Sequence, residues 1–227
     1  MFVFWAHNFL DPSSEAITAL QSDGQVTVIA ETGLVIFEST SGSSSTAFIF
    51  YPGGRIDYRS YAPLLRQIAA HGYLVILTPM PLNLAFFNVN AAESALAMYP
   101  EIKHWVIGGH SLGGVAAARY ASNHPVIDGI VFWASYPADN ALKDKDIKVL
   151  SIYGSQDGLT TNKEIEASHT LLPTDTIFVQ VKGGNHSQFG SYGLQSGDGQ
   201  ATMPPEQQWT QIIDATVKLL DIISNKQ

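Results

Sequence analysis

Short apolar runs alternate along this chain with longer stretches in which apolar residues return every three or four positions. Val26-Thr27-Val28-Ile29 and Leu34-Val35-Ile36-Phe37 are β-rich and flank Glu31-Thr32-Gly33, which predicts a hairpin. Ala47-Phe48-Ile49-Phe50-Tyr51 is apolar without interruption, as in a strand covered on both faces of a parallel sheet. Tyr61, Leu64, Leu65, Ile68 and Ala69 then recur at helical spacing, and His71-Gly72 stops that helix before the strand Tyr73 to Leu77. A helix over 91–98 leads to the strand His104-Trp105-Val106-Ile107, and the alanine-rich run from Val115 predicts the next helix. Strands follow over 127–133, 147–153 and 176–181, with a helix near 161–171 between the last two. A final helix begins after Pro204-Pro205, with Trp209, Ile212, Ile213, Val217 and Leu220 on its buried side.

Strands alternating with helices predict an α/β fold: a three-layer, doubly wound, mostly parallel sheet with helices on both faces. Too few residues separate Trp133 from the strand at Ile147 for an inserted cap domain. At 227 residues one core is expected, and residues 26–227 read as a single domain. Residues 1–25 read as an N-terminal segment, with a short helix over 11–23 opened by Asp11-Pro12-Ser13-Ser14-Glu15. Met1-Phe2-Val3-Phe4-Trp5-Ala6 reads either as the end of a longer membrane anchor or as a strand or tail packed on the domain. It lacks the basic start of a signal peptide. Membrane association is expected only through a segment preceding Met1.

Composition narrows the partners. A formal charge of −8 without any lysine/arginine run argues against nucleic acid. The absence of cysteine excludes disulfides, thiolate metal ligands and a cysteine nucleophile. No apolar stretch is long enough to span a bilayer.

Gly109-His110-Ser111-Leu112-Gly113 lies between a predicted strand and a predicted helix and fits G-x-S-x-G, the nucleophile elbow. The glycines permit a tight turn that lifts Ser111 above the sheet and aims the Leu112 amide at an oxyanion formed there. A serine hydroxyl needs a base, and the base an orienting acid. Asp157, in Gly154-Ser155-Gln156-Asp157-Gly158, and His186, in Gly183-Gly184-Asn185-His186-Ser187, each follow the carboxyl end of a strand. Ligands of open α/β sheets bind at that edge. Asp128, Asp139, Asp144, Asp146 and Asp175 precede strands or lie in charged loops, and His7, His71, His104, His124 and His169 suit solvated or structural places. His110 is the variable elbow position and is expected to pack beside it.

Serine, aspartate and histidine in this order, each after a strand, resemble the α/β-hydrolase superfamily, whose triad runs so. The likeness extends from about Val26 to the last helix. The short, cap-less form is similar to the dienelactone-hydrolase-like and small carboxylesterase group. Dienelactone hydrolases carry cysteine where this chain has Ser111, so the resemblance does not carry over dienelactone as substrate. It implies a second oxyanion donor in Tyr51-Pro52-Gly53-Gly54-Arg55, with Pro52 where histidine is frequent. Gly54 is the expected amide, with Arg55 the alternative one residue on.

Further expectations concern the pocket. Met80 to Phe87 either lines it, through Leu82 and Phe86, or fills core. Phe189 to Gly199 could cover the site as a glycine-hinged flap with Phe189 against the substrate. Arg55 and Arg59 either hold an anionic substrate or are solvated. The resulting expectation is a serine hydrolase acting on an ester-type bond in a small molecule with no cofactor and no metal; the alternatives are a catalytically inactive hydrolase-fold binding protein and a membrane-anchored lipase or thioesterase.

Overall fold

The computed structural model describes residues 9–31, 33–42 and 44–225. Strands β1 (Val26–Glu31), β2 (Leu34–Ser39), β3 (Thr46–Tyr51), β4 (Leu74–Leu77), β5 (His104–His110), β6 (Ile127–Trp133), β7 (Lys148–Gly154) and β8 (Ile177–Val181) form one sheet. Their order is β1-β2-β4-β3-β5-β6-β7-β8. β2 runs antiparallel to β1 and β4, and every pairing from β4 through β8 is parallel. The helices are α1 (Ser14–Thr18), α2 (Ala62–Ala70), α3 (Ala92–Met98), α4 (Leu112–Asn123), α5 (Asn162–Ser168) and α6 (Pro205–Ser224). This is the three-layer, mostly parallel α/β architecture expected from the apolar pattern.

The sheet separates two cores because successive side chains of a strand point to opposite faces. On β3, Phe48 and Phe50 enter a core with Trp133 of β6, Leu64 of α2 and Ile212 and Leu220 of α6. Ile49 and Tyr51 enter the other core, with Phe132 of β6 and Ala116 and Tyr120 of α4. All six residues of β3 are buried, which is why its sequence carries no polar alternation. Alanines 116, 117 and 118 keep α4 close against β5, where the sequence has little side-chain volume to spare for separation.

Two boundaries differ from the sequence reading. The first helix spans Ser14–Thr18 rather than 11–23. Ser13 caps it as foreseen, accepting from the Ala16 amide at 3.1 Å, but Gln21 to Gly24 offer turn formers and no further apolar face. The helix expected over 161–171 ends as Asn162–Ser168, followed by a 3₁₀ turn at His169–Leu171. The segment before β1 packs on the domain: Leu10 bridges Ile56 in parallel, and the Ser13 amide donates to the Ser191 carbonyl at 2.8 Å. The expectation for Met1 to Ala6 lies outside the described residues. Only residues 134–147 join β6 to β7, and no cap domain sits there. Among the described residues, no helix is long and apolar enough to cross a membrane.

Candidate active site

The residues singled out for chemistry lie in the connections that follow strands at one edge of the sheet, with Leu112 opening α4. That edge is also where the backbone is strained. The described non-glycine residues with left-handed φ are Arg55 after β3, Leu82 and Asn83 after β4, Ser111 after β5 and Ala134 after β6. Such conformations persist only where the surroundings hold them, and they gather at functional sites.

Ser111 has φ 50° and ψ −121°. The sharp turn requires near-contact between strand and helix: a Cβ on Gly109 would lie 2.5 Å from the Gly113 carbonyl carbon and 2.6 Å from the Gly114 nitrogen. Hydrogen bonds fix the serine backbone on both sides. Its amide donates to the Trp133 carbonyl at 3.0 Å, while its carbonyl accepts from the Gly114 amide at 3.0 Å and from the buried Ser135 hydroxyl at 2.6 Å. Its own hydroxyl makes no hydrogen bond among the described residues and lines a cavity of about 410 Å³.

Asp157 and His186 meet in the buried interior and do not line that cavity. The Asp157 Oδ2 accepts from His186 Nδ1 at 2.9 Å, and Oδ1 accepts from the amides of Leu159 at 2.8 Å and Thr160 at 2.6 Å. Because Nδ1 carries the hydrogen, Nε2 of the neutral ring has the lone pair. Nε2 is buried and, among the described residues, makes no hydrogen bond, to Ser111 Oγ or to any other group. Catalytic contacts are frequently long without substrate. Gly54 and Leu112 abut, since a Cβ on Gly54 would lie 2.9 Å from Leu112 Cδ2. Both line the cavity beside Ser111, together with Phe9, Leu10, Arg55, Leu84, Gln195 and Ser196.

Three expected pocket residues are placed elsewhere. Phe189 is fully buried and stacks on the His110 ring at 5.7 Å between centroids, so it is core and not a substrate contact. Leu82 and Phe86 are absent from the cavity wall. Both are exposed, Phe86 lines a separate groove beside α4, and the segment reaches the cavity through Leu84 instead. The reason is local: Leu82 and Asn83 adopt left-handed φ, which breaks the face that alternating apolar residues would have shared. Arg59 is bound to Asp57 in an ion pair of 2.7 Å, while Arg55 lines the cavity. The 189–199 stretch is fastened at several points rather than hinged, as at Ser191 N to Ser60 O and Gln195 N to Ser187 Oγ.

Several of the rejected candidates have structural partners. Asp128 accepts from the Trp105 amide and faces His104, and Asp175 pairs with Lys148. His71 and His124 bond carbonyls one helical turn back.

Sequence reasoning missed the residues that hold the loops. Gln208 of α6, fully buried, accepts from the Asn185 amide at 3.0 Å and donates to the Asn185 carbonyl at 2.8 Å, clamping the residue before His186. The available signal was its place four residues before Ile212 on the buried stripe, where a polar side chain must serve a partner. Tyr61 is the second. Its hydroxyl accepts from the Gly53 amide at 2.9 Å and lies 2.8 Å from His110 Nδ1, the one acceptor within its reach among the described residues, so it donates there. One phenol thus joins the loop of Gly54 to the elbow. His110 in turn packs on His186 with ring centroids 4.5 Å apart. Burial, and then the neighbouring His186, push His110 well below the ordinary histidine pKa, so its ring is neutral.

The fold and this edge define a hydrolase of the α/β type. The sequence profile of the alpha/beta hydrolase family matches residues 47–210, and the chain belongs to that family. A search of curated proteins by sequence found no match. Among solved structures, the chain is similar to a predicted CIB-like hydrolase from Thermoplasma acidophilum, with 17% identity and a TM-score of 0.60 over 86% of this chain and 98% of that one. At that identity the likeness speaks for the fold. Among the described residues no cluster of three or more His, Asp or Glu is placed to hold a metal ion.

Proposed function

We propose that this protein is a serine hydrolase that cleaves an ester-type bond in a small substrate through a covalent acyl-enzyme. The observation that carries the reading is the Asp157–His186 bond of 2.9 Å behind a cavity in which the strained Ser111 stands beside Leu112 and Gly54. In this reading His186 Nε2 takes the proton of the Ser111 hydroxyl as Oγ attacks the substrate carbonyl carbon. The carbonyl electron pair moves to oxygen, where the amides of Leu112 and Gly54 donate to it. Collapse breaks the ester bond, and the leaving alcohol takes the proton from Nε2. Water then gives a proton to His186 and attacks the acyl carbon. Ser111 Oγ departs, recovers that proton, and the acid is released. Asp157 keeps the ring in the Nδ1–H tautomer and stabilises the imidazolium in both halves.

The atoms and electrons of these steps balance without a cofactor. A cavity of about 410 Å³ with apolar residues (Phe9, Leu10, Leu84) and polar ones (Arg55, Gln195, Ser196) suits a small ester with a polar part, and Arg55 beside Gly54 would receive an anionic group. The test is labelling by a fluorophosphonate together with turnover of p-nitrophenyl esters of increasing chain length. Wild type should label and turn over, and Ser111→Ala should lose labelling and at least about 10⁴-fold in turnover. A folded wild type that neither labels nor turns over would overturn the reading in favour of a binding protein on a hydrolase fold.

A further inference from the structure

We propose that Asp198 is a positioning residue that sets the acid and base turns against each other, an inference that rests on the triad reading above. The two turns come from different strands, β7 and β8. Near the strands they are joined by the Gln156 amide to the Gly184 carbonyl and by the Gly183 amide to Ser155 Oγ, each at 2.8 Å. Those bonds hold the roots of the turns. Asp157 and His186 stand further out, and there the link is a carboxylate from the 195–199 segment.

Asp198 Oδ1 accepts from the amides of Gly158 at 3.1 Å, His186 at 3.2 Å and Gly199 at 2.8 Å. Oδ2 accepts from the Ser187 amide at 2.7 Å and the Ser187 hydroxyl at 2.6 Å. One side chain therefore grips the residue after Asp157 and the backbone of His186 itself. The Ser187 hydroxyl passes the link on, accepting from the amide of Gln195, which lines the cavity. Asn185 closes the same unit by donating from Nδ2 to the Gly199 carbonyl at 2.8 Å. A carboxylate suits this place because it offers acceptors only, and all five groups aimed at it are donors. A neutral side chain of similar size would bring hydrogens against at least two of them.

The consequence falls on geometry at His186. Its ring is oriented by Asp157 through one bond, and catalytic groups lose about 100-fold in rate for a misplacement of 1 Å. The titratable groups around His186 are Asp157, Asp198, His110 and Tyr192, whose hydroxyl donates to the His186 carbonyl at 3.4 Å.

Steady-state ester hydrolysis against pH tests this in Asp198→Ala, Asp198→Asn and Gly158→Ala. Asp198→Ala should lower kcat about 10- to 100-fold with KM within about 3-fold, because it disturbs the base and not the cavity wall. Its acid limb should move to lower pH, since a loosened Asp157 stabilises the imidazolium less. Asp198→Asn should recover part of the loss, because its amide oxygen still accepts from Gly158 and His186. Loss of charge alone would make Asn and Ala equal, which counts against positioning. Gly158→Ala leaves the carboxylate in place but drives a Cβ to 2.7 Å from the Gly197 carbonyl oxygen and the Gly199 nitrogen, and should reproduce the kcat loss. If Asp198→Ala fails to fold, the other two variants decide. Folded variants with wild-type kcat and acid limb would overturn the inference while the triad reading stands. A folded wild type with no Ser111-dependent turnover would overturn the triad reading and the inference with it.

Discussion

At the scale of single residues, the site depends on polar groups that touch no substrate. Tyr61 makes the point most directly. Its phenol is fully buried, and burial raises its pKa far above the usual range, so it stays a neutral hydroxyl with one hydrogen to give. Tyr61→Phe leaves the Gly53 amide and His110 Nδ1 without partners in a dry interior. An orphaned buried polar group costs about 1–3 kcal/mol. Urea unfolding should show a loss of that size, accompanied by a fall in kcat because Gly53 precedes Gly54; an unchanged midpoint would mean that the two groups find other partners. These residues were not legible in the sequence. Ser111, Asp157 and His186 are visible because turn chemistry and strand order mark them, whereas Tyr61 occupies an ordinary apolar position of a helix start. Its hydroxyl acquires meaning only when β5 brings His110 across the sheet. Gln208 and Asp198 are hidden for the same reason, since their partners lie far away in the chain.

At the scale of elements, the strand-turn-helix from β5 to α4 carries the strictest steric demand. A Cβ at Gly109 would press on backbone atoms of Gly113 and Gly114, which cannot swing aside as a side-chain tip can. Gly109→Ala should therefore cost several kcal/mol or prevent folding, within the range known for overpacking and strain. Gly24→Ala is the matched control, because a Cβ there meets nothing within 4 Å. Its unfolding free energy should stay within about 0.5 kcal/mol of wild type, and equal damage from both changes would refute the steric account. The parallel strands and the long helices were readable because burial on two faces or one stripe imposes a period on the sequence. The 80–88 segment was not. Its apolar residues divide between core (Met80, Leu84, Ala85) and surface (Leu82, Phe86, Phe87), and what divides them is backbone conformation. Composition holds no record of that.

At the scale of the whole molecule, the buried imidazole of His110 ties global stability to pH. Its folded pKa lies well below that of the unfolded chain, so the unfolded state binds a proton that the native state refuses. The sign follows: the contribution is complete above the unfolded value, about 6.5, and is lost as pH falls beneath it. The slope is about 1.4 kcal/mol per pH unit for one proton. The loss runs from the unfolded value down to the folded one, and each pH unit crossed is a sizeable share of the roughly 5–15 kcal/mol that holds a domain together. Unfolding free energies from urea titrations at pH 7.5, 6.5, 5.5 and 5.0 should hold between the first two and decline towards this slope below them, and His110→Gln should flatten the decline by one proton. Parallel slopes in the two proteins would mean that His110 is not the linked group. The same linkage bears on activity. Protonation of His186 silences the proposed base reversibly, whereas unfolding, which exposes His110 and lets it take up a proton, removes the site altogether. A brief return to neutral pH separates the two, since the first loss recovers at once and the second only with refolding.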